Sequence, residues 1–360
     1  MNIAVVSSGN SIHVKKIINA LVNKGFNITL YTLRNHNKLL NDFDNRIKVV
    51  KLPFAGPIGY ILNAPILRKK VLKGNYDLIN SHYASGYGTL VRLARLHPLS
   101  LAVFGSDIFE YPFKSKRNMK IIKKNLDNAD IITSTSEVMK KKILSFYDTK
   151  KNIYVTPFGV DLKLFHKKER TNNDENFRFG IIKKIEYIYG HDILIKAFKK
   201  FTEKYPDAKV KLEIYGRGSY IKSLKQLVEH NDLDDKVIFN GFVKNELVPD
   251  ILSNLDVVCL SSRVDESFGV SAIEAMACGI PIIATDAVGF TEVIEEGKTG
   301  IIVRKESVEE FANAMIKLYE MSIEERQNIG KNGSMRAKAL YSFDDNIQTY
   351  INALMHYKEL

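Results

Sequence analysis

The chain opens on a pattern that leaves few folds open to it. An apolar run, Ile3–Ser7, is followed by the turn Ser8-Gly9-Asn10-Ser11 and a helical pattern over Ile12–Lys24. Gly25 then ends the helix, and a second apolar run spans Asn27–Leu33. Two strands joined through a helix lie parallel, because the crossover returns the chain to the end of the sheet from which it started. Further strand patterns follow at Ile47–Lys51, Tyr76–Ser81, Ser100–Phe104, Ala129–Ser136 and Asn152–Thr156. A second series begins at Phe177–Ile182 and continues through Val210–Tyr215, Lys236–Asn240, Asp256–Leu260 and Ile280–Thr285. At 360 residues the chain is too long for one typical core. The expectation is an α/β protein of two domains, 1–166 and 177–340. The polar stretch His166–Asn176 reads as the linker, and Tyr341–Leu360 as a terminal helix.

Within the second series, Ser261–Gly300 reads as loop, helix and strand. Ser261–Phe268 is polar, and Gly269 precedes a run of good helix formers, Val270–Cys278. Gly279 supplies a left-handed stop and Pro281 forbids continuation. A glycine at a helix start lets backbone N–H groups at Phe268, Gly269 and Val270 approach an anion, which the helix dipole also favours. Glu266 on the loop and Glu274 in the first turns of the helix flank that position and can accept hydrogen bonds from hydroxyls. A diphosphate between two hydroxyl-rich groups describes a sugar nucleotide. The alternative is that both glutamates are solvated surface residues.

The string ESFGVSAIEAMACGIPIIAT resembles the donor-binding signature of the family-4 retaining glycosyltransferases, in which two glutamates separated by seven residues bracket Phe-Gly. The resemblance extends over most of the chain. It implies the GT-B fold: two Rossmann-like domains facing a cleft, with the C-terminal helix crossing back to the first. It implies that Glu266 holds hydroxyls of the transferred sugar and Glu274 the ribose. In such proteins the segment after the first strand of the second domain carries an Arg and then a Lys before Gly. Here Lys184 and Tyr189 stand at those positions, with Lys183 adjacent. Lys183 and Lys184 are therefore the candidate diphosphate cations. Gly216, in Gly216-Arg217-Gly218, resembles a turn near the nucleobase, and Gly9 resembles a loop facing the diphosphate, with His13 just beyond it. The run HYASGYG from His82 resembles a segment of polysaccharide-building members. Phe104 stands where many relatives carry histidine. That leaves His82 and Asp107 as candidates to contact the acceptor hydroxyl or the donor sugar, although Asp107 equally suits capping of its turn.

Charge is unevenly spread. Residues 1–165 hold 26 Lys and Arg against 10 Asp and Glu, and the remainder holds 27 against 31. The basic clusters Arg68–Lys73, Lys114–Lys124 and Lys140–Lys142 are interleaved with apolar residues. They read as a surface for anionic lipid headgroups or an acidic acceptor. A solvated lysine-rich surface is the plainer reading. The chain shows no nucleic-acid-binding motif. The loop 53–65 adds apolar side chains that could touch a membrane or an acceptor. No apolar run approaches the ~20 residues of a bilayer span. Cys259 and Cys278 read as buried free thiols, with no His cluster beside them for zinc.

The expected activity is thus transfer of a hexose or N-acetylhexosamine from a nucleotide-diphosphate sugar, UDP-linked by preference, to a lipid-linked saccharide or other glycan. It needs neither metal nor cofactor, and takes place in the cytoplasm or on the inner face of the membrane. A sugar-nucleotide epimerase and a non-catalytic subunit of a polysaccharide assembly complex are the alternatives.

Overall fold

A computed structural model describes residues 1–171 and 174–359. Asn172 and Asn173, in the stretch read as a linker, and the terminal Leu360 lie outside the described residues. The chain divides into two compact units. One is Met1–Phe158 with Asp344–Leu360, and the other is Gly159–Phe343.

In the first unit, seven strands form one sheet: β1 (Asn2–Val6), β2 (Asn27–Leu33), β3 (Lys48–Leu52), β4 (Leu78–His82), β5 (Leu99–Val103), β6 (Ile131–Ser134) and β7 (Ile153–Val155). Their order is β3-β2-β1-β4-β5-β6-β7 and every pairing is parallel. Strand periodicity sends alternate side chains to opposite faces. Along β1, Ala4 and Val6 enter one buried cluster, while Ile3 and Val5 enter another on the opposite face. Val14, Ile17, Ile18 and Leu21 of the helix Ile12–Asn23 cover the second face. Beside them lies the terminal helix Phe343–Met355, whose Ile347, Tyr350, Ile351 and Leu354 recur at i, i+3, i+4 and i+7. Each of these side chains is buried, and burying one contributes about 1.5–3 kcal/mol.

The second unit holds six strands: β8 (Phe177–Ile182), β9 (Val210–Tyr215), β10 (Val237–Gly241), β11 (Val257–Leu260), β12 (Ile282–Thr285) and β13 (Ile301–Val303). Their order, β10-β9-β8-β11-β12-β13, is again all parallel.

Besides the added strand β13, two helical segments depart from the sequence reading. Residues 53–65 are mostly helical, as Gly56–Leu62 followed by Ala64–Leu72. Pro57 and Pro65 sit in the first turns of these helices, where a missing N–H costs nothing. The second departure is the helix Ile323–Leu340, to which the periodicity assigns nothing. A capping box marks its start: the Ser322 hydroxyl accepts from the Glu325 amide, and the Glu325 carboxylate accepts from the Ser322 amide. This helix packs against Val270–Ala277.

Candidate functional site

In each sheet the strand order reverses direction once, and the loops leaving the two central strands diverge there. Such a switch point, at the carboxyl ends of the strands, is where open α/β sheets bind ligands. In the second unit it falls between β8 and β11, so the diverging loops are 183–190 and 261–268.

These two loops meet through an ion pair. Lys183 Nζ lies 2.9 Å from Glu266 Oε1, with about one fifth of each side chain exposed. The ammonium also sits 4.9 Å from the centre of the Tyr189 ring. Burial works against the charge on Lys183, but the Glu266 carboxylate outweighs it, with further help from Tyr189 and Glu274. The lysine pKa is therefore held above its usual value. Ile181, Leu260, Ser261, Ser262 and Phe290 complete the lining of the small space around the pair.

Lys184 turns away. It is exposed, and its field falls on Glu186. So Lys183, not the residue at the position suggested by resemblance, faces Glu266. Gly216 has φ +146°, and a Cβ there would lie 1.9 Å from the Lys183 carbonyl oxygen. The turn after β9 thus presses against Lys183 backbone, as the Lys183 amide donates to Tyr215 O at 3.0 Å. Gly216 accordingly shapes the site through this close approach.

The helix Val270–Ala277 starts beside Glu266. Its N-cap is Gly269 at φ +80°, a left-handed conformation that costs a side-chain-bearing residue about 1 kcal/mol or more. Phe268 is buried and meets Tyr341 edge-on with ring centres 5.6 Å apart, which anchors the loop just before the cap. Val270 opens the first turn, and the half-buried Glu274 follows one turn later. The first-turn amides of such a helix lack intrahelical acceptors and point outward.

Arg263 was not singled out by the sequence reading, yet it holds the two loops in place. Its guanidinium forms a bidentate pair with Asp192, at 2.7 Å for both bonds. It also donates to Glu306 at 2.8 Å and to the Tyr187 carbonyl at 2.7 Å, and stacks 4.0 Å over the Tyr187 ring. Ser261 Oγ adds a bond to Tyr189 O at 2.9 Å. One signal pointed this way: Arg263 sits in a loop and Asp192 in the first turn of the helix His191–Lys204, but the pairing spans 71 residues.

In the first unit the switch point lies between β1 and β4. The Gly9 amide donates to Thr32 Oγ1 at 3.0 Å, which ties the first loop to β2. Phe104 is buried among four rings: Phe158 at 4.9 Å, His82 and Tyr83 at 5.1 Å, and His13 at 6.5 Å. His13 in turn stacks on Phe158 at 4.2 Å. The two residues read as acceptor contacts take other places here. His82 is wholly buried, with Nε2 2.7 Å from Asn80 Oδ1 and 3.2 Å from the Tyr350 hydroxyl of the terminal helix. Burial pulls its pKa down to about 3, so the ring is neutral near pH 7. Asp107 is buried too. Its carboxylate accepts amides from Ala84 (2.7 Å), Gly105 (2.8 Å) and Phe104 (3.2 Å). Burial raises its pKa and these bonds oppose that rise. Asp107 is thus the turn cap. Both side chains are enclosed by protein, so neither presents an atom to a substrate in this conformation.

Both thiols are buried and unpaired, as expected. Burial, with Glu274 second, pushes Cys278 up to about 12. Among the described residues, no group of three or more His, Cys, Asp or Glu is placed to hold a metal ion.

Comparison with known proteins gives a consistent picture. Residues 163–336 match the pattern described as glycosyl transferases group 1, and residues 2–136 match glycosyl transferase 4-like. Among curated relatives, mannosylfructose-phosphate synthase of Agrobacterium fabrum is 27% identical, over 94% of this chain and 84% of the relative. D-inositol 3-phosphate glycosyltransferase of Paenarthrobacter aurescens is also 27% identical, over 76% and 71%. Among solved structures, sucrose-phosphate synthase from Thermosynechococcus elongatus superposes with a TM-score of 0.83 at 19% identity, covering 98% of each chain. Anabaena HepE in complex with UDP superposes at 0.84 and 19%, covering 99% of this chain and 100% of that one. The same protein has been solved with UDP-glucose.

Proposed function

This chain is a glycosyltransferase, 4-like over residues 2–136 and group 1 over 163–336, and has the GT-B fold of two parallel α/β units; from that premise we propose that it is a retaining, metal-independent enzyme using a UDP-linked hexose or N-acetylhexosamine. The observation that carries the reading is the arrangement at the switch point of the second unit. One partly buried ammonium, two glutamates and a helix start converge there. The amides of Phe268, Gly269 and Val270 and the Lys183 ammonium suit the diphosphate. Glu266 suits hydroxyls of the sugar and Glu274 those of the ribose. The HepE complexes with UDP and UDP-glucose support uridine as the nucleoside.

As the anomeric C–O bond breaks, its electron pair passes to the leaving phosphate oxygen. Preorganised positive charge lowers the barrier by stabilising that oxygen. Glu266 is tied to Lys183 and assigned to sugar hydroxyls, so no side-chain nucleophile is invoked: the acceptor hydroxyl attacks on the face that the phosphate leaves. A phosphate oxygen then takes the hydroxyl proton.

The acceptor is a lipid-linked saccharide or another surface glycan, met at the cytoplasmic face of an anionic membrane. Among the described residues, no helix is long and apolar enough to cross a membrane. The basic first unit is what supports attachment from one side.

Thermal melting against UDP, GDP and ADP sugars tests the donor. A ligand at a hundredfold excess over its Kd stabilises by about 2.7 kcal/mol. Stabilisation by GDP or ADP sugars alone would overturn the uridine assignment. NMR of the product then reads the anomeric configuration, and inversion would end the retaining mechanism.

A further inference from the structure

We infer that the short helix Gly56–Leu62 is the element by which this protein seats itself on an anionic lipid surface. The inference rests on the membrane reading above and names the surface responsible.

Ile58, Ile61, Leu62 and Pro65 recur at i, i+3, i+4 and i+7, the spacing that in a globular protein marks the face turned to the core. The terminal helix uses the same spacing at Ile347, Tyr350, Ile351 and Leu354, and all four are buried. Here the stripe faces out: Ile58 is 64% exposed, Ile61 56% and Leu62 46%, with Pro65 also exposed. Phe54, 42% exposed, extends the patch. The positions turned inward are instead Gly59 and Asn63.

The exposure does not come from a loose segment. The Asn63 side chain accepts from the Phe54 amide at 3.2 Å and donates to the Phe54 carbonyl at 2.8 Å. Tyr60, between the exposed positions, packs edge-on against Tyr87 at 5.2 Å. The helix is thus braced from beneath while its apolar stripe stands in water.

Charge selects the occupant. Residues 45–76 contain seven Lys or Arg and no Asp or Glu. Arg68 is committed, donating to the carbonyls of Ala94 and Arg95 at 2.8 and 2.7 Å. Lys69, Lys70 and Lys73 are exposed beside the stripe, as is Leu72 at 65%. An apolar ridge flanked by uncommitted lysines matches a bilayer interface, where acyl chains take the ridge and anionic headgroups take the ammonium groups. A second copy of this chain would bring like charge against like.

The chain contains no tryptophan, so Ile61→Trp creates a single-tryptophan reporter in the full-length protein, excited where tyrosine does not absorb. Its emission is expected to shift to the blue with phosphatidylglycerol–phosphatidylcholine vesicles, and not with phosphatidylcholine alone. A matching Ile323→Trp control on the other unit should not shift. In sedimentation with the same vesicles, Ile58→Ser with Ile61→Ser should lower partitioning about tenfold or more. Lys69→Gln, Lys70→Gln and Lys73→Gln together should do likewise at low salt, at roughly fivefold per lysine. Circular dichroism melting should be unchanged, since every altered side chain is exposed. If the wild type ignores anionic vesicles, the membrane reading itself falls. If it binds but the serine variant binds equally and Ile61→Trp does not shift, only this helix is overturned. A dimer in gel filtration that the serine variant abolishes, with no vesicle binding, would reassign the patch to self-association.

Discussion

The two units share one topology and reverse strand order at equivalent places, yet they fill those places with opposite chemistry. At the β8–β11 switch point, an ammonium and a carboxylate are paired and kept partly accessible. At the β1–β4 switch point, Phe104 sits among His13, His82, Tyr83 and Phe158, and burial holds the histidines neutral. The sheet supplies the location, and the side chains decide whether charge is kept there or suppressed. One switch point stabilises charge where a charged ligand would arrive, whereas the other suppresses it behind aromatic rings.

The sharpest way to break this contrast is Glu266→Ala. Transfer should fall by about 10³-fold or more, roughly 4 kcal/mol of barrier, at temperatures where circular dichroism shows the variant still folded. Glu274→Ala should instead weaken donor binding, read as a rise in KM. Full activity in both variants would remove the site from the second unit.

Next in size is Arg263→Ala, which leaves Asp192 buried without its partner. Breaking a buried pair costs about 3–5 kcal/mol, so the melting temperature should drop by roughly 10 °C. Arg263→Lys should recover only part, because an ammonium cannot form the bidentate fork.

Acid should strain the first unit more than the second. His13 is lowered to about 4 by burial and then by Lys16, and His82 to about 3 by burial. His191 in the second unit is lowered to about 4, again chiefly by burial. Each is neutral in the fold, whereas the unfolded chain takes up a proton near 6.5. Their contribution is complete above pH 6.5 and is lost as pH falls toward 4 and 3. Asp107, raised by burial, acts in the opposite sense at the lower end. Each of these histidines alone loses about 3 kcal/mol by pH 4, and two of the three lie in the first unit. Hydrogen exchange resolved by unit would check which opens first.

The smallest effect separates neighbouring lysines. Lys183→Ala should weaken UDP-sugar binding by about 10–100-fold, the worth of a charged hydrogen bond, and Lys184→Ala by less than about threefold. Combining Lys183→Ala with Tyr189→Lys should restore part of the affinity, since position 189 borders the same space. Equal losses at 183 and 184, measured by calorimetry, would refute the assignment of Lys183.

Much of the local frame around Glu266 and Glu274 was legible in the chain. Gly269 before a helix-forming run, Gly279 and Pro281 after it, and glutamates at 266 and 274 are local signals, and local backbone preference is enough to read them. The helix observed is Val270–Ala277, with Cys278 as its cap. The capping box at Ser322 and Glu325 was equally local and went unread, because the helix behind it has a weak apolar stripe.

Tertiary structure decided the rest. β8 is covered on both faces, so alternation along it could not say which of Lys183 and Lys184 would face Glu266. Only the fold shows it: Lys183 pairs with Glu266, 83 residues away. His82 stands at the end of a strand, where ligands collect, but the terminal helix laid Tyr350 over it. Two stripes of identical spacing went to opposite fates, one beneath the sheet at Ile347–Leu354 and one in water at Ile58–Pro65. Periodicity states which side chains share a face. Only the packed neighbours state whether anything covers it.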